Sequence, residues 1–265
     1  MRKILIVGNW KMHLNASQAS ILVHRLHERI KIHRDIEIVL APSMLTLQPM
    51  SVQLDRRKFR LAAQNAFHKD EGAFTGEVSF TMLRDLVHYV IIGHSERRHV
   101  FNEDLDMIRD KVAASVRNEI TPILCVGETK TERSDGETKQ VLHDQLMTAL
   151  HNLTAREVRQ MVIAYEPVWA ISKGDDYKGH EIAKPDQIAE AADYIRCYAR
   201  DVFGPKAANG LRILYGGSTT PEFVQAFLDV EGIDGFLVGG ASLNYHSFAG
   251  IISAAHDWQR EKGEV

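Results

Sequence analysis

Apolar positions along the chain fall into two alternating rhythms. Short runs of strand character occupy residues 4–7, 36–41, 60–63, 89–92, 122–126, 161–165, 212–214 and 236–238. They are rich in the aliphatic and β-branched residues that suit a pleated surface. Between them, apolar residues recur at helical spacing. One stripe runs through Ile21, Leu22, Arg25, Leu26, Arg29 and Ile30. A second uses Leu105, Ile108, Val112 and Val116, and a third Ile188, Ala191, Ala192, Ile195 and Tyr198. Apolar strands alternating with amphipathic helices imply a parallel sheet covered by helices. Eight such runs match a closed (β/α)8 barrel. The rival, an open doubly wound sheet, predicts a glycine fingerprint after the first strand. Here that strand runs into Gly8-Asn9-Trp10-Lys11 instead. The third and seventh runs are the weakest of the eight.

Length agrees with this picture. A chain of 265 residues is long for one core, yet barrels of this kind use about 250. No linker or low-complexity segment divides it, so residues 1–265 are read as one α/β domain. Net charge is −3 with both signs interspersed, which argues against a nucleic-acid stripe or a membrane surface. Two cysteines are too few for a disulfide framework. The apolar stretch ahead of Gly8 is too short for a signal peptide, and no run approaches the roughly 20 residues of a membrane span. A cytoplasmic location is expected.

Polar residues gather where strands give way to loops. Asn9 and Lys11 follow the first strand, His94 and Glu96 the fourth, and Glu166 the sixth. Gly216-Gly217-Ser218 follows the seventh and Gly239-Gly240 the eighth. In a barrel these ends share one face, where ligands bind. Pro167 ends the sixth strand directly after Glu166. Tyr165, Val168 and Trp169 around it predict a partly desolvated carboxylate, which suits a general base. Glycine turns ahead of helices expose backbone N–H groups to anions, and the loops after the last two strands are the usual phosphate site. His94 stands at the start of a short helix, where the dipole favours the neutral imidazole. His24 and His27, three apart on a helix, read as a solvated face rather than a metal pair.

Several segments together resemble the triosephosphate isomerase family. They are Gly8-Asn9-Trp10-Lys11-Met12, Gly72-Ala73-Phe74-Thr75-Gly76-Glu77-Val78-Ser79, Ile92-Gly93-His94-Ser95-Glu96-Arg97-Arg98 and Cys125-Val126-Gly127-Glu128. Ala164-Tyr165-Glu166-Pro167-Val168-Trp169-Ala170-Ile171, Tyr215-Gly216-Gly217-Ser218 and Gly235-Phe236-Leu237-Val238-Gly239-Gly240-Ala241-Ser242 complete the set. They span nearly the whole chain in the family's order. The resemblance implies a TIM barrel that interconverts dihydroxyacetone phosphate and glyceraldehyde 3-phosphate. Glu166 would move the proton and neutral His94 would polarise the carbonyl, a pairing established for this family. Lys11 and Asn9 would stabilise the enediolate, and Glu96 would orient the group. Ser172, Ser218, Gly239 and Gly240 would hold phosphate. Thr75 would reach a partner's site in a homodimer, with Phe74 exposed on its loop tip. No metal or organic cofactor is implied.

The main departure is the lid. Trp169 and Pro185 match its ends, but the stretch between them is roughly six residues longer than the family pattern, an extension that costs little closure entropy. Ser172 stands where glycine is common, and Asp175 and Asp176 are expected to face solvent. His13 replaces a common asparagine, and Thr219 a common valine. The longer lid raises one rival reading, the same proton transfer on a four-carbon ketose phosphate. Schiff-base chemistry through Lys11 and a non-catalytic sugar-phosphate binder are the others.

Overall fold

The computed structural model describes residues 3–31, 33–171 and 181–263. Eight parallel strands close into a barrel in chain order. They are β1 (Ile4–Asn9), β2 (Ile36–Ala41), β3 (Phe59–Ala63), β4 (Tyr89–Ile92), β5 (Thr121–Val126), β6 (Val162–Tyr165), β7 (Arg212–Tyr215) and β8 (Gly235–Val238). Every apolar run became a strand, and the bounds moved by at most two residues. The third and seventh, the weakest from pattern alone, are the ordinary strands β3 and β7.

Helices cover the outside. Among the described residues they are α1 (Ala16–Arg29), α2 (Met44–Gln53), α3 (Phe80–Leu83), α4 (Ser95–His99), α5 (Leu105–Arg117), α6 (Lys130–Ser134), α7 (Thr138–Leu150), α8 (Ala155–Gln160), α9 (Pro185–Phe203), α10 (Pro205–Gly210), α11 (Val224–Leu228) and α12 (Tyr245–Gly263). Local sequence sets their starts. Asn15 caps α1 through a reciprocal box with Gln18, and Pro185 opens α9 at its first turn, where its missing N–H leaves no bond unmade. The α1 stripe differs from expectation. Its buried face is Ala19, Leu22, Val23 and Leu26, whereas Ile21 is 54% exposed. Arg25 and Arg29 lie over the Tyr245 ring, so their place on the stripe reflects stacking on an aromatic face rather than core packing.

Alternation along the strands separates two apolar layers. Leu5, Val7, Val39, Ile91, Ile123, Val162, Ala164, Leu214 and Leu237 cluster in the lumen. Ile4, Ile6, Ile38, Leu40, Leu124, Ile163 and Ile213 pack outward under the helices. The seam closes where β8 meets β1, with Leu5 opposite Gly235. Gly235 has φ 147°, and a Cβ there would lie 1.9 Å from the Leu5 carbonyl oxygen, so only glycine allows this approach.

The N-terminal mouth of the barrel is closed by polar groups. Glu37 of β2 accepts hydrogen bonds from the Tyr89 hydroxyl at 2.7 Å and from Arg212 Nη1 at 2.8 Å. Arg60 Nε stands 3.2 Å from the same carboxylate. Arg212 Nη2 donates to the Tyr89 oxygen at 2.7 Å, which completes a ring of contacts. Burial raises Glu37, but the Tyr89 hydrogen bond, Arg212 and Arg60 more than offset it and hold the carboxyl below its ordinary range.

Candidate active site

The opposite mouth collects the residues at the carboxyl ends of the strands. Asn9 ends β1 and is buried. Its Oδ1 accepts the Lys11 N–H at 3.0 Å. Lys11 has φ 52°, a left-handed conformation that an L residue keeps only when its surroundings impose it. Gln64 helps to impose it. Its Nε2 donates to the Lys11 carbonyl at 2.8 Å and to the Ala41 carbonyl at 2.9 Å. The Lys11 ammonium then reaches Glu96 Oε1 at 2.8 Å. Burial raises Glu96, yet the Lys11 hydrogen bond, His94 and the Lys11 charge bring it below its ordinary value.

His94 caps the amino end of α4. Its Nδ1 accepts the Glu96 backbone N–H at 3.2 Å. A nitrogen that accepts carries no proton, so the ring is neutral and its proton sits on Nε2. That Nε2 faces Glu166 Oε1 at 3.2 Å. The other carboxylate oxygen of Glu166 accepts the Ser95 backbone N–H at 3.1 Å. Glu166 is buried just past β6, and its own N–H bonds the Val126 carbonyl at 2.7 Å. Beneath it lies Cys125, whose thiol is pushed up by burial and then by the neighbouring carboxylate.

Asn9, Lys11, His94, Glu166, Ser218, Gly239 and Gly240 line one cavity of about 150 Å³. Glu96 sits behind Lys11 in an adjoining groove. Gly239 packs over the Lys11 side chain, and Gly240 begins a 3₁₀ turn, Gly240–Leu243. Gly216-Gly217 differs from the expected turn ahead of a helix. The next helix, α11, starts only at Val224, and the Gly216 N–H bonds the Tyr165 carbonyl. The close approach is what needs glycine here, since a Cβ at Gly216 would lie 2.7 Å from Glu166 Cγ. Ser218 turns both its N–H and its hydroxyl onto the Ala170 carbonyl, at 3.1 Å each. Thr219 lines the cavity and donates to the Gly217 carbonyl. Ser172 lies outside the described residues, as does 173–180 of the lid.

The segment after Glu166 is held from below. Trp169 Nε1 donates to Glu128 Oε1 at 2.9 Å, the Tyr165 hydroxyl donates to the same carboxylate at 3.1 Å, and Arg133 pairs with it at 3.1 Å. Arg133 also lies over the Trp169 ring. Thr75 is not among the cavity residues. It sits on an exposed loop whose base is pinned by the Phe67–Ser79 bridge and by Phe74 packed on Phe67 with centroids 4.7 Å apart.

Sequence reasoning missed Ser95, Gln64 and Arg98 as contributors. Ser95 acts through its backbone, which leaves no mark in a sequence. Gln64 follows a strand end and could have been marked by the same rule that marked Asn9. Arg98 ties the Gly93 and Cys125 carbonyls together at 2.7 and 2.8 Å. A second arginine on so short a helix was its signal.

A closed parallel barrel with a buried carboxylate, a neutral imidazole and an ammonium at its carboxyl-end mouth has the layout of an aldose–ketose isomerase. A family model described as triosephosphate isomerase matches residues 4–255. A protein named triosephosphate isomerase from Chloroherpeton thalassium is 41% identical over 257 residues, covering 96% of this chain and all of its own. Another of that name from Citrifermentans bemidjiense is 43% identical over 253 residues, covering 95% and 98%. The chain belongs to the triosephosphate isomerase family.

Proposed function

We propose that this isomerase interconverts dihydroxyacetone phosphate and D-glyceraldehyde 3-phosphate, with Glu166 as the base. The observation that carries the reading is Glu166 meeting His94 Nε2 in a small cavity that Lys11 and the Gly239-Gly240 turn also line. Glu166 takes a proton from the carbon beside the carbonyl. The electron pair forms the carbon–carbon double bond of an enediolate, and the charge moves to the former carbonyl oxygen. His94 donates its Nε2–H there and takes up the proton of the hydroxyl on the neighbouring carbon, so that this oxygen can become the new carbonyl, while Lys11 and Asn9 add charge and a hydrogen bond. Returning the proton to the adjacent carbon completes the exchange. Every role is filled by a side chain of the chain itself, so the scheme routes no step through a metal or cofactor.

Two contacts would have to yield. Glu166 must leave the Ser95 N–H to reach a substrate carbon, and Ser218 must leave Ala170 to serve phosphate. Glu166 gives up one hydrogen bond and Ser218 two, each with a net worth of about 1 kcal/mol, which phosphate binding can offset. Gly239, Gly240 and the backbone of Ser172 are the remaining phosphate donors of the proposal. The match to triosephosphate isomerases supports the three-carbon substrate. The test is steady-state turnover of glyceraldehyde 3-phosphate and a four-carbon ketose phosphate. A higher kcat/KM for the latter overturns this reading. Borohydride trapping should leave no adduct at Lys11.

A homodimer and a cytoplasmic location belong to the same proposal. Met12, Leu45 and Phe101 are 93%, 78% and 62% exposed around the mouth, and a groove of about 400 Å³ opens beside Lys11 and Glu96. A partner's Phe74–Thr75 loop tip would cover this apolar surface. No helix among the described residues is long and apolar enough to cross a membrane.

A further inference from the structure

At the end of the barrel opposite the cavity, three residues from distant parts of the chain come together. His33 and Asp35 lie in the loop between α1 and β2, and His256 lies on α12. His256 Nδ1 is 3.0 Å from Asp35 Oδ2. The His33 and His256 rings have centroids 4.1 Å apart and are tilted by 45°. One donor atom from each residue falls within 4.8 Å of the others, and no other group of three or more His, Cys, Asp or Glu among the described residues meets this criterion.

We propose that His33, Asp35 and His256 form a binding site for one borderline divalent cation, of which Zn²⁺ is the best fit. Two imidazoles and a carboxylate are the donor set of zinc, cobalt and nickel rather than of calcium or magnesium, which take oxygen. Donors on one tetrahedral zinc, bound at about 2.0–2.2 Å, stand about 3.3 Å apart. The Asp35–His256 pair is already near that spacing, and His33, whose donor lies within 4.8 Å of both, would close in from its loop to complete the set. The Asp35 and His256 side chains are 26% and 28% exposed, which gives the ion an entry path and leaves a fourth position to water. Binding through Nδ1 moves the His256 ring proton to Nε2, so the imidazole stays neutral. Of the other charged groups that act on His33, Asp257 favours a cation there and Lys31 opposes it.

The site has a mechanical consequence. Asp35 also accepts the Ile4 N–H through its backbone carbonyl at 3.0 Å, so it is anchored to the start of β1. A cation on this triad would join the last helix, α12, to the first two strands. Because the unfolded chain holds no such site, binding would stabilise the folded form by mass action.

The full-length protein, stripped with a chelator, would be titrated with ZnCl₂ by calorimetry and with Co²⁺ by visible absorption. The expected result is one equivalent bound, a tetrahedral Co²⁺ spectrum, and a Tm rise of roughly 5 °C at a hundredfold excess over Kd. His33→Ala keeps the Asp35–His256 bond and so should fold. It should weaken zinc affinity tenfold or more, with isomerase turnover of the stripped enzyme unchanged. His256→Ala should abolish the Co²⁺ spectrum. If the parent protein and His33→Ala titrate alike, or if Co²⁺ keeps its hexa-aqua spectrum, the cluster is a plain Asp–His hydrogen bond and the proposal fails.

Discussion

The two mouths of this barrel hold similar chemical groups and put them to opposite uses. At the N-terminal mouth, Glu37, Tyr89, Arg212 and Arg60 meet one another directly, and each main donor has an acceptor at 2.7–3.2 Å. At the C-terminal mouth, Glu166, His94 and Lys11 line an open cavity. Their contacts there are with one another and with backbone groups at the cavity wall, such as Glu166 with His94 Nε2 and the Ser95 N–H. A mouth whose polar groups satisfy each other is a plug. A mouth whose polar groups are aimed but only loosely held is a site. What separates them is whether the last partner comes from the protein or is left to the substrate, since a buried polar group without a partner is costly.

The contrast can be broken at either end. The largest expected effect is at the open mouth. Glu166→Gln should lower kcat by about a thousandfold, within the range expected of a positioned general base, with Tm nearly unchanged. Near-normal turnover would remove Glu166 from its role. Next comes the plug. Arg212→Met leaves Glu37 with the half-exposed Arg60 as its one remaining cation and should destabilise the fold by about 3 kcal/mol, read as a lower urea midpoint, with kcat of the folded enzyme kept. Adding Glu37→Leu should recover most of that loss. If the double variant is no better than the single, the plug is not an interdependent unit.

A smaller effect tests how the open mouth is held. Gln64→Ala removes the bridge that ties the left-handed Lys11 carbonyl to that of Ala41 and should reduce kcat/KM about tenfold, because a displaced charge stabilises the enediolate less well. Unchanged kinetics would show that Asn9 alone suffices. The smallest concerns acid. Glu37 titrates below its ordinary value of 4.5 in the folded protein. Its contribution is therefore fully present above about pH 4.5 and is lost as pH falls through the lower folded value. Glu37→Gln should flatten the fall in stability below pH 4.5. An equally steep acid limb in that variant would place the titrating group elsewhere.

The strands were legible because a strand buried on both faces leaves an unbroken apolar run, and residues such as Ile91 and Ile123 could belong to nothing else. The open mouth was legible for a related reason. Glu166, His94 and Asn9 each stand where such a run stops, and a polar residue at that place is conspicuous. The plug was not legible. Glu37 and Arg212 are 175 positions apart, and Tyr89 lies 52 from one and 123 from the other. Each sits near the start of its run and looks like an ordinary interruption. Only barrel closure brings them together. Ile21 misled for another reason, because spacing alone places it on the apolar stripe, while the face that packs is the one through Ala19, Leu22, Val23 and Leu26.

Gly235 carries one more consequence. A closed sheet has no strand with unpaired N–H and C=O groups, and so offers nothing for another chain to pair with. In this barrel that property depends on β8 reaching β1 at the Leu5–Gly235 contact. A side chain there would leave two complementary edges, β1 and β8, facing solvent on the same molecule. Such a molecule could pair head to tail with its own copies, so the natural product of a failed seam is a filament rather than an unfolded chain.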